Sequence, residues 1–391
     1  MNNINQRSTT DDLCVIQSIS DSTLDQILQQ AVAVNARDIY FLSNDYIRVR
    51  VDNRRLIFSS EPLSHSQVKE LLEKKFNSLN RVYDGRSTNP PYLLINRENR
   101  KLNQNFRFSI SKSTAGETEG FNCAIRPLPL VPKTYSELGL SEKLTRKVSE
   151  LRKGFVLVVG ATGDGKTSTI AAFKRYALEN VPNKRILEFA RPVENLWHNV
   201  NKHPTNQIVP HNVSENGVGG DMVSYEEAVS TAMRQAGDWI DVGEMTDQES
   251  FEKAIEFSLT GHLVTSTTHA TTCDAAYSRI YFKSDSATRD GLVASLISEV
   301  EVLIAQTLLD RKGGGLVALR EVLVQDFSVK QRLLNALSSG NNPINSLRLE
   351  VQKCLWEQEN SFFQNAKKLH TQGHIDEIEL ERVRETYGVY Q

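Results

Sequence analysis

Two kinds of apolar spacing alternate along the first third of the chain. From Ser22 to Asn35 apolar residues recur every three or four positions, which predicts an amphipathic helix with Ser22 as its N-cap. The same spacing predicts a second helix from Ser64 to Phe76. Alternating or β-branched segments predict strands at Asp38–Leu42, Tyr46–Val51, Arg55–Phe58, Asn105–Ser111 and Gly120–Arg126, with a loop at Thr114–Glu119. We therefore predict a small domain of mixed α and β structure.

After Ser141 the two patterns alternate regularly. Helices are predicted at Ser141–Arg152, Lys166–Leu178, Tyr225–Gln235 and Asp247–Ser258, and strands at Phe155–Val159, Arg185–Phe189, Trp239–Val242 and His262–Thr268. This order is typical of an α/β domain in which helices cover a parallel sheet. The last third is predicted to be helical, at Thr288–Gln306, Val329–Ser338, Ser346–Gly373 and from Glu377 onward.

Three prolines mark the boundary between these two regions. Pro127, Pro129 and Pro132 lie close together after the last strand of the first region, as expected of a linker. The sequence therefore predicts an N-terminal domain of residues 1–131 and a second domain of residues 132–391, whose helical C-terminal region begins at about residue 325. A chain of 391 residues exceeds the usual size of one hydrophobic core, which agrees with two domains.

Composition excludes several other classes of protein. The net charge of -2 lacks the basic excess of a typical nucleic-acid-binding protein, so we expect no direct sequence-specific binding of nucleic acid. No apolar run approaches the roughly 18–20 residues of a membrane-spanning helix, and no secretory signal is evident. We expect a cytoplasmic protein with peripheral membrane contact only through partners. The cysteines lack the spacing of a zinc site or a disulfide framework.

The strongest chemical motif joins a predicted strand to a predicted helix. Residues 160–167 read GATGDGKT and match the phosphate-loop pattern GxxxxGK[ST] in its required context. Backbone N–H groups of such a loop surround phosphates, the lysine contacts the outer phosphates, and the hydroxyl of Thr167 can bind Mg²⁺. We predict that ATP and Mg²⁺ are bound by Gly160, Ala161, Thr162, Gly163, Asp164, Gly165, Lys166, Thr167 and Ser168. Asp164 is unusual, because a carboxylate that faced the phosphates would weaken their binding.

Carboxylates and histidines after the loop supply further candidates. Glu244 follows a strand that ends at a glycine, and Glu194 follows the strand Arg185–Phe189; each is either a catalytic or metal-supporting acid or a solvated surface acid. His262 and His269 bracket one strand, and their separation of seven residues argues against a shared metal. Each is either structural or positioned near the γ-phosphate. Asp241 interrupts a buried strand, and the sequence offers no reason for it.

The order of these motifs resembles the secretion ATPase superfamily of bacterial type II and type IV systems, in the branch that contains pilus-retraction motors. The resemblance rests on the phosphate loop, on RPVE at 191–194, VGEM at 242–245 and TGHLV at 260–264, and on TH at 268–269. Segments outside the ATP site, such as ALREVLV at 318–324, look more like the DotB and TraJ type of type IVB secretion and conjugative plasmid transfer.

This resemblance implies a fold and an assembly. Each protomer would combine a smaller PAS-like N-terminal α+β domain with a RecA-like P-loop ATPase domain and C-terminal helices, and six protomers would form a homohexameric ring. The partners would be inner-membrane secretion or pilus assembly proteins. The rival functions are a pilus-retraction motor and a structural ring subunit that binds nucleotide with little turnover.

The resemblance also implies roles for individual residues. Glu194 would be the general base, Glu244 the Walker B glutamate that supports magnesium through water, and His262 and His269 the histidine box. Arg107 and Arg126 would contact the γ-phosphate within the ring. This chain departs from the family pattern by having Ala190 and Arg191 before the proline and Thr246 after the Walker B glutamate, which leaves fewer charges around the metal and puts the turnover rate in doubt.

Overall fold

A computed structural model describes residues 13–16, 23–51, 54–76, 79–95, 103–115, 118–129, 131–214, 220–339 and 342–388. The chain divides into two compact units. The N-terminal unit comprises Met1–Val131 with Glu194–Asn199, and the C-terminal unit comprises Pro132–Val193 with Val200–Gln391. In the described part of the chain, no helix combines the length and the apolar character needed to cross a bilayer.

The N-terminal unit is built on one largely antiparallel sheet. Its elements are β1 (Leu13–Ile16), α1 (Leu24–Ala33), β2 (Asp38–Leu42), β3 (Arg48–Val51), β4 (Arg54–Ser59), α2 (His65–Glu73), α3 (Asn80–Tyr83), β5 (Pro91–Leu94), β6 (Gln104–Ala115) and β7 (Thr118–Pro127). The strand order is β1-β4-β3-β2-β7-β6-β5; the β1–β4 pair is parallel and the other pairs between these described strands are antiparallel. The apolar faces of α1 and α2 pack with this sheet in one core, which contains Ile27, Phe41, Leu72 and Phe108.

Most predicted elements of this unit are present, with shifted ends. The predicted cap Ser22 lies outside the described residues, and the side chain of Thr23 instead accepts the N–H of Gln26 at the start of α1. The predicted loop at Thr114–Glu119 is shorter than expected, because β6 and β7 extend to Ala115 and from Thr118. The strand β5 was not predicted, because its proline opposes a strand assignment.

The C-terminal unit contains a parallel sheet with one antiparallel edge. Its strands are β8 (Gly154–Val159), β9 (Arg185–Ala190), β10 (Gln207–Asn212), β11 (Trp239–Glu244), β12 (Leu263–Thr268), β13 (Val300–Asp310) and β14 (Leu316–Val324). Its helices are α4 (Glu142–Glu150), α5 (Lys166–Asn180), α6 (Tyr225–Ala232), α7 (Gln248–Leu259), α8 (Cys273–Lys283), α9 (Arg289–Glu299), α10 (Phe327–Leu337), α11 (Pro343–Glu357), α12 (Phe362–Thr371) and α13 (Glu377–Tyr387). The strand order is β10-β9-β11-β12-β8-β13-β14, and the pair β13–β14 is antiparallel.

The C-terminal third is less helical than the sequence predicts. The helix predicted for Thr288–Gln306 is wrong in its second half, because α9 ends at Glu299 and β13 follows. Strand β13 pairs with both β8 and β14. The run Val302–Gln306 is therefore buried without interruption, and the strand lacks the alternation that distinguishes a strand from a buried helix. The long helix predicted for Ser346–Gly373 is two helices, α11 and α12.

Strand β12 is polar in sequence yet fully buried in the middle of the sheet. Its side-chain hydroxyls form hydrogen bonds with the neighbouring strand β11: Thr267 donates to the carbonyl oxygen of Gly243 at 2.8 Å, and Thr268 to that of Met245 at 2.8 Å. A buried hydroxyl costs little when it has such a partner. These bonds fix the end of β11, where Glu244 lies.

Candidate functional site

The segment from Gly160 to Gly165 connects the buried strand β8 to helix α5. Gly163 and Gly165 have φ angles of 92° and 80°, which favour glycine over any residue with a Cβ. A Cβ at Gly160 would lie 2.4 Å from the carbonyl oxygen of Gln306. The glycines of this loop are therefore required by backbone conformation at two positions and by close packing at the third.

The side chain of Asp164 is used inside the loop. Its Oδ2 atom accepts a hydrogen bond from the backbone N–H of Ala161 at 2.7 Å, which closes the loop on itself. The carboxylate therefore stabilises the curved backbone, as an Asx-type side chain does in a turn. This contact gives a structural reason for an acid at a position where charge repulsion alone would disfavour it.

Lys166, the first residue of α5, folds back over the loop. Its Nζ atom donates to the carbonyl oxygens of Gly160 at 3.0 Å and Ala161 at 2.9 Å. Burial lowers the pKa of Lys166, and the negative charges of Glu244 and Asp164 oppose that shift. The ammonium group therefore sits within the electrostatic range of Glu244 and is held by neutral oxygens, which a phosphate oxygen can replace at little cost.

Glu244 and His269 lie at the same edge of the sheet as the loop. Strand β12 pairs in parallel with β8, with Thr268 opposite Val159, and β11 pairs in parallel with β12. Parallel strands end at one common edge, so the carboxyl ends of β8, β11 and β12 meet there. The Nε2 atom of His269 lies 2.7 Å from Oε1 of Glu244. The structure thus brings together the loop, Glu244 and His269.

A cleft of about 690 Å³ opens beside the loop. Its walls are formed by the loop, by the residues that follow β12 and by one face of α8: Gly160, Ala161, Thr162, His269, Ala270, Thr271, Ala275, Ser278, Arg279, Phe282 and Lys283. Its volume is in the range of small-molecule sites. Arg279 and Lys283 were not predicted from the sequence, because a cation on an ordinary helix carries no motif.

His262 is not near the loop within this protomer. It precedes β12, whereas His269 follows it, and the carbonyl oxygen of His262 accepts the N–H of Gly154 at the start of β8 at 3.1 Å. The two histidines are therefore separated by the length of the strand, roughly 20 Å at 3.3 Å per residue. The Nδ1 atom of His262 lies 2.9 Å from the hydroxyl of Thr260, a local contact at the opposite edge of the sheet.

Three predicted site residues belong to the N-terminal unit. Arg107 on β6 and Arg126 on β7 are directly opposite each other in the sheet. Nη1 of Arg107 lies 3.6 Å from Oε1 of Glu194, and Nε of Arg126 donates to Oδ1 of Asp38 at 2.7 Å. The structure therefore places both arginines together and sets Glu194 beside one of them.

The buried Asp241 is explained by a lysine from α5. Lys174 donates to Oε1 of Glu188 at 2.8 Å and also to Asp241, while the hydroxyl of Thr265 donates to Oδ1 of Asp241 at 2.6 Å. Burial alone would lower the pKa of Lys174, but the charges of Asp241 and Glu188 outweigh it and raise that pKa. This cluster ties the helix that begins at the loop to strands β9 and β11.

Gln306 on β13 supports the loop from behind and was also missed by sequence reasoning. Its Nε2 atom donates to the carbonyl oxygen of Asp164, and its Oε1 atom accepts from the hydroxyl of Thr169 at 2.7 Å and from Nε of Arg320 at 2.6 Å. Because Gln306 is 137 residues from Thr169 along the chain, no local motif reveals the contact. Gln306 is a positioning residue for the loop.

The residues at the loop fit a magnesium–nucleotide complex better than a metal held by protein alone. Among the described residues no group of three or more His, Cys, Asp or Glu side chains is arranged to hold a metal. Mg²⁺ in nucleotide sites takes one or two protein oxygens and completes its shell with phosphates and water. The exposed hydroxyl of Thr167 and the half-buried carboxylate of Glu244, which His269 contacts at 2.7 Å, match that donor set.

The comparisons with known proteins identify the family to which this fold belongs. The chain belongs to the family of type II/IV secretion system proteins, whose sequence model matches residues 15–315. It is 30% identical, over 311 residues, to the type IV pilus retraction ATPase PilT of Pseudomonas aeruginosa; the match spans 76% of this chain and 81% of that protein.

Solved structures of the same family show the same fold. The ATPase DotB of Legionella pneumophila superimposes with a TM-score of 0.79 at 23% identity, over 96% of this chain and 100% of that chain. A structure of the pilus retraction motor PilT with bound ADP gives a TM-score of 0.76 at 24% identity, over 93% of this chain and 97% of that chain. The chain therefore has a RecA-like α/β fold with a smaller N-terminal domain.

Proposed function

We propose that this protein is a ring-forming ATPase that hydrolyses ATP to drive a type IVB secretion or conjugative transfer apparatus. The observation that carries the proposal is the meeting of the phosphate loop, Glu244 and His269 at the carboxyl edge of one sheet. The family of the chain and the ADP bound to the related motor PilT support it. Residues 1–131 would act as the N-terminal domain and residues 132–391 as the ATPase domain.

The loop would bind the phosphates of ATP. Lys166 exchanges the carbonyl oxygens of Gly160 and Ala161 for outer phosphate oxygens, and the N–H groups at the start of α5 point at the same charge. Thr167 and Glu244 would hold Mg²⁺, which would offset the negative charge of the phosphates. His269, held beside Glu244, would contact the γ-phosphate when ATP is bound.

Hydrolysis would need a general base and cationic side chains that contact the transferred phosphate. Glu194 takes a proton from the attacking water, and Arg107, whose Nη1 atom lies 3.6 Å from Oε1 of Glu194, orients the carboxylate. Arg107 and Arg126 contact the γ-phosphate within a homohexamer, so that loss of that phosphate changes the arrangement of the units. This conformational change would act on inner-membrane secretion or pilus assembly proteins bound to the ring.

Steady-state release of phosphate from ATP tests this mechanism. Lys166→Ala should lower kcat/KM by at least about 100-fold, because a charge on the transferring phosphate is lost. Lys153→Ala is the matched control, since Lys153 is exposed and lies just before β8 at the other edge of the sheet. Equal rates for Lys166→Ala and the wild type would overturn the assignment of the loop.

The same assay separates a motor from a structural ring subunit that binds nucleotide with little turnover. Glu194→Gln should bind a fluorescent ADP analogue as the wild type does and lose hydrolysis by about 100-fold or more, since it removes the general base. A wild-type rate no higher than that of Glu194→Gln would favour the structural role. The internal use of Asp164 removes one reason for expecting slow turnover.

A pilus-retraction motor is the second enzymatic candidate, favoured by the match to PilT. The likeness of segments outside the ATP site, such as ALREVLV at 318–324, favours secretion. The two candidates share the ATP site and differ in the apparatus that they drive. Deletion of the gene should abolish plasmid transfer or substrate export and leave pilus retraction intact; the reverse pattern would identify a retraction motor.

A further inference from the structure

A second concave surface of the C-terminal unit lies away from the cleft described above. This groove, of about 510 Å³, runs between α4, β14 and α12. Four cations from three different elements line it: Lys143, Lys147, Arg320 and Lys368. No aspartate or glutamate is among the described residues that line it, although the chain as a whole has slightly more acids than bases. The groove is therefore a local concentration of positive charge.

Arg320 is the unusual member of this group, because its side chain is buried and forms no ion pair with a carboxylate of the described residues. The residue is 8% exposed, and its Nη2 atom makes no hydrogen bond to a described residue. Burial lowers the pKa of Arg320 to about 10. A buried charge without a counter-charge is costly in a folded protein, so retention of this arginine points to a negatively charged group that joins it.

The guanidinium group is held in a fixed orientation. Its Nε atom donates to Oε1 of Gln306 at 2.6 Å, and the backbone carbonyl oxygen of Arg320 accepts from Nδ2 of Asn365 at 2.8 Å. The first bond orients the guanidinium group, and the second anchors the backbone that carries it. A preorganised fork of this kind suits a phosphate or carboxylate oxygen.

The lysines approach from both walls of the groove. Lys143 and Lys147 are four residues apart on α4, so both lie on one face of that helix, and both are exposed. Lys368 comes from α12 and donates to two neutral oxygens, the carbonyl of Glu359 at 2.7 Å and Oδ1 of Asn365 at 3.0 Å. Its charge is thus positioned without being neutralised by these two contacts.

We propose that this groove is a binding site for a small, multiply charged phosphate group, separate from the phosphate loop. Three lysines and an arginine match a charge of -2 or more better than a single carboxylate does. The phosphate group belongs either to a free phosphate compound or to a lipid headgroup. The proposal does not depend on ATP hydrolysis by the loop.

Calorimetric titration of the full chain with inorganic pyrophosphate tests whether the groove binds a free phosphate compound. Two variants separate the sites: Lys143→Ala/Lys147→Ala removes cations of the groove, and Lys166→Ala removes the lysine of the loop. Lys133→Ala/Lys153→Ala removes two exposed lysines outside the groove and is the matched control. We expect pyrophosphate binding to persist in Lys166→Ala, and to weaken about tenfold when the groove lysines are also removed from that variant.

Flotation with phosphatidylglycerol vesicles tests, with the same variants, whether the groove binds a lipid headgroup. Vesicle binding that is lost in Lys143→Ala/Lys147→Ala, without pyrophosphate binding, would identify a headgroup. The proposal is overturned if neither probe binds to Lys166→Ala, or if removal of the groove lysines changes neither affinity. Because both lysines are exposed, the double variant should unfold at the same urea concentration as the wild type, so that loss of binding is not loss of fold.

Discussion

Two polar clusters lie on the same parallel sheet, and they differ in how completely they are paired. In the buried cluster, Lys174 donates to Glu188 and Asp241, and Thr265 donates to Asp241. At the carboxyl edge, Lys166 donates to the carbonyl oxygens of Gly160 and Ala161, and Glu244 contacts the partly exposed ring of His269 instead of a buried cation. The buried cluster is complete without a ligand, whereas the edge cluster has charges available for one.

The difference distinguishes a structural charge from a functional one. A buried ion pair lacking one partner leaves an uncompensated charge, so each member of the buried cluster is needed for stability. A charge at an accessible edge can be held by neutral oxygens until a ligand arrives, so its removal should affect binding and catalysis rather than folding. The following variants test this distinction.

The largest effect is expected from the buried cluster. Lys174→Met keeps the length of the side chain but leaves Glu188 and Asp241 facing each other across β9 and β11 without a cation. The free energy of unfolding should fall by about 3–5 kcal/mol, as when one partner of a buried ion pair is removed. Urea unfolding followed by circular dichroism measures it.

Arg146→Met is the control for Lys174→Met, because Arg146 pairs with Glu150 on the exposed face of α4. Exposed pairs contribute little to stability, so its unfolding midpoint should stay at the wild-type value. Similar losses in the two variants would show that the buried cluster has no special structural role.

At the carboxyl edge, Glu244→Gln should affect turnover and leave stability nearly unchanged. The neutral amide fills the same space but no longer offsets the charge of Mg²⁺, so kcat for ATP hydrolysis should fall by about 100-fold. Phosphate release and urea unfolding of the same preparation provide both measurements. A loss of stability comparable to that of Lys174→Met would remove the distinction between the two clusters.

Gln306→Leu should produce an intermediate result, because Gln306 connects the buried interior to the loop. Its loss leaves the carbonyl oxygen of Asp164, the hydroxyl of Thr169 and Nε of Arg320 without this partner. The free energy of unfolding should fall by about 1–3 kcal/mol, and nucleotide affinity should fall with it. Gln306→Glu, which keeps the acceptor, should recover part of the stability; no recovery would argue that volume rather than hydrogen bonding matters.

The smallest effect concerns a buried acid that has no lysine beside it. Glu321 accepts hydrogen bonds from the backbone N–H groups of Cys273 and Phe362, and burial raises its pKa to about 7. Because the folded state holds this proton more tightly than the unfolded state, stability should fall as pH rises from about 4.5 to 7. We expect Glu321 to contribute a decrease of about 1–2 kcal/mol between roughly pH 5.5 and 7.5.

Urea unfolding of the wild type and Glu321→Gln across that range measures this contribution, since the amide cannot ionise. The difference in unfolding free energy between the two proteins should change with pH in the stated direction. Parallel pH dependence in both proteins would show that Glu321 stays ionised in the fold.

Local patterns in the sequence predicted most of the elements that carry the loop. The apolar run of β8, the glycines of the loop and the helix that starts at Lys166 follow from neighbours along the chain. Strand β13 was not predicted, because burial on both faces removes the alternation that would identify it. The adjacency of Glu244 and His269 required the strand order, which periodicity does not contain.

The sequence by itself determined the phosphate-loop motif, the α/β class of the second domain and the resemblance to secretion ATPases, since each depends on short local patterns and on their order along the chain. Tertiary structure alone decided the partners of Asp241, the support of the loop by Gln306 and the separation of His262 from His269. These features depend on contacts between residues far apart in sequence. Such contacts arise only when parallel strands align their ends and a helix packs across them.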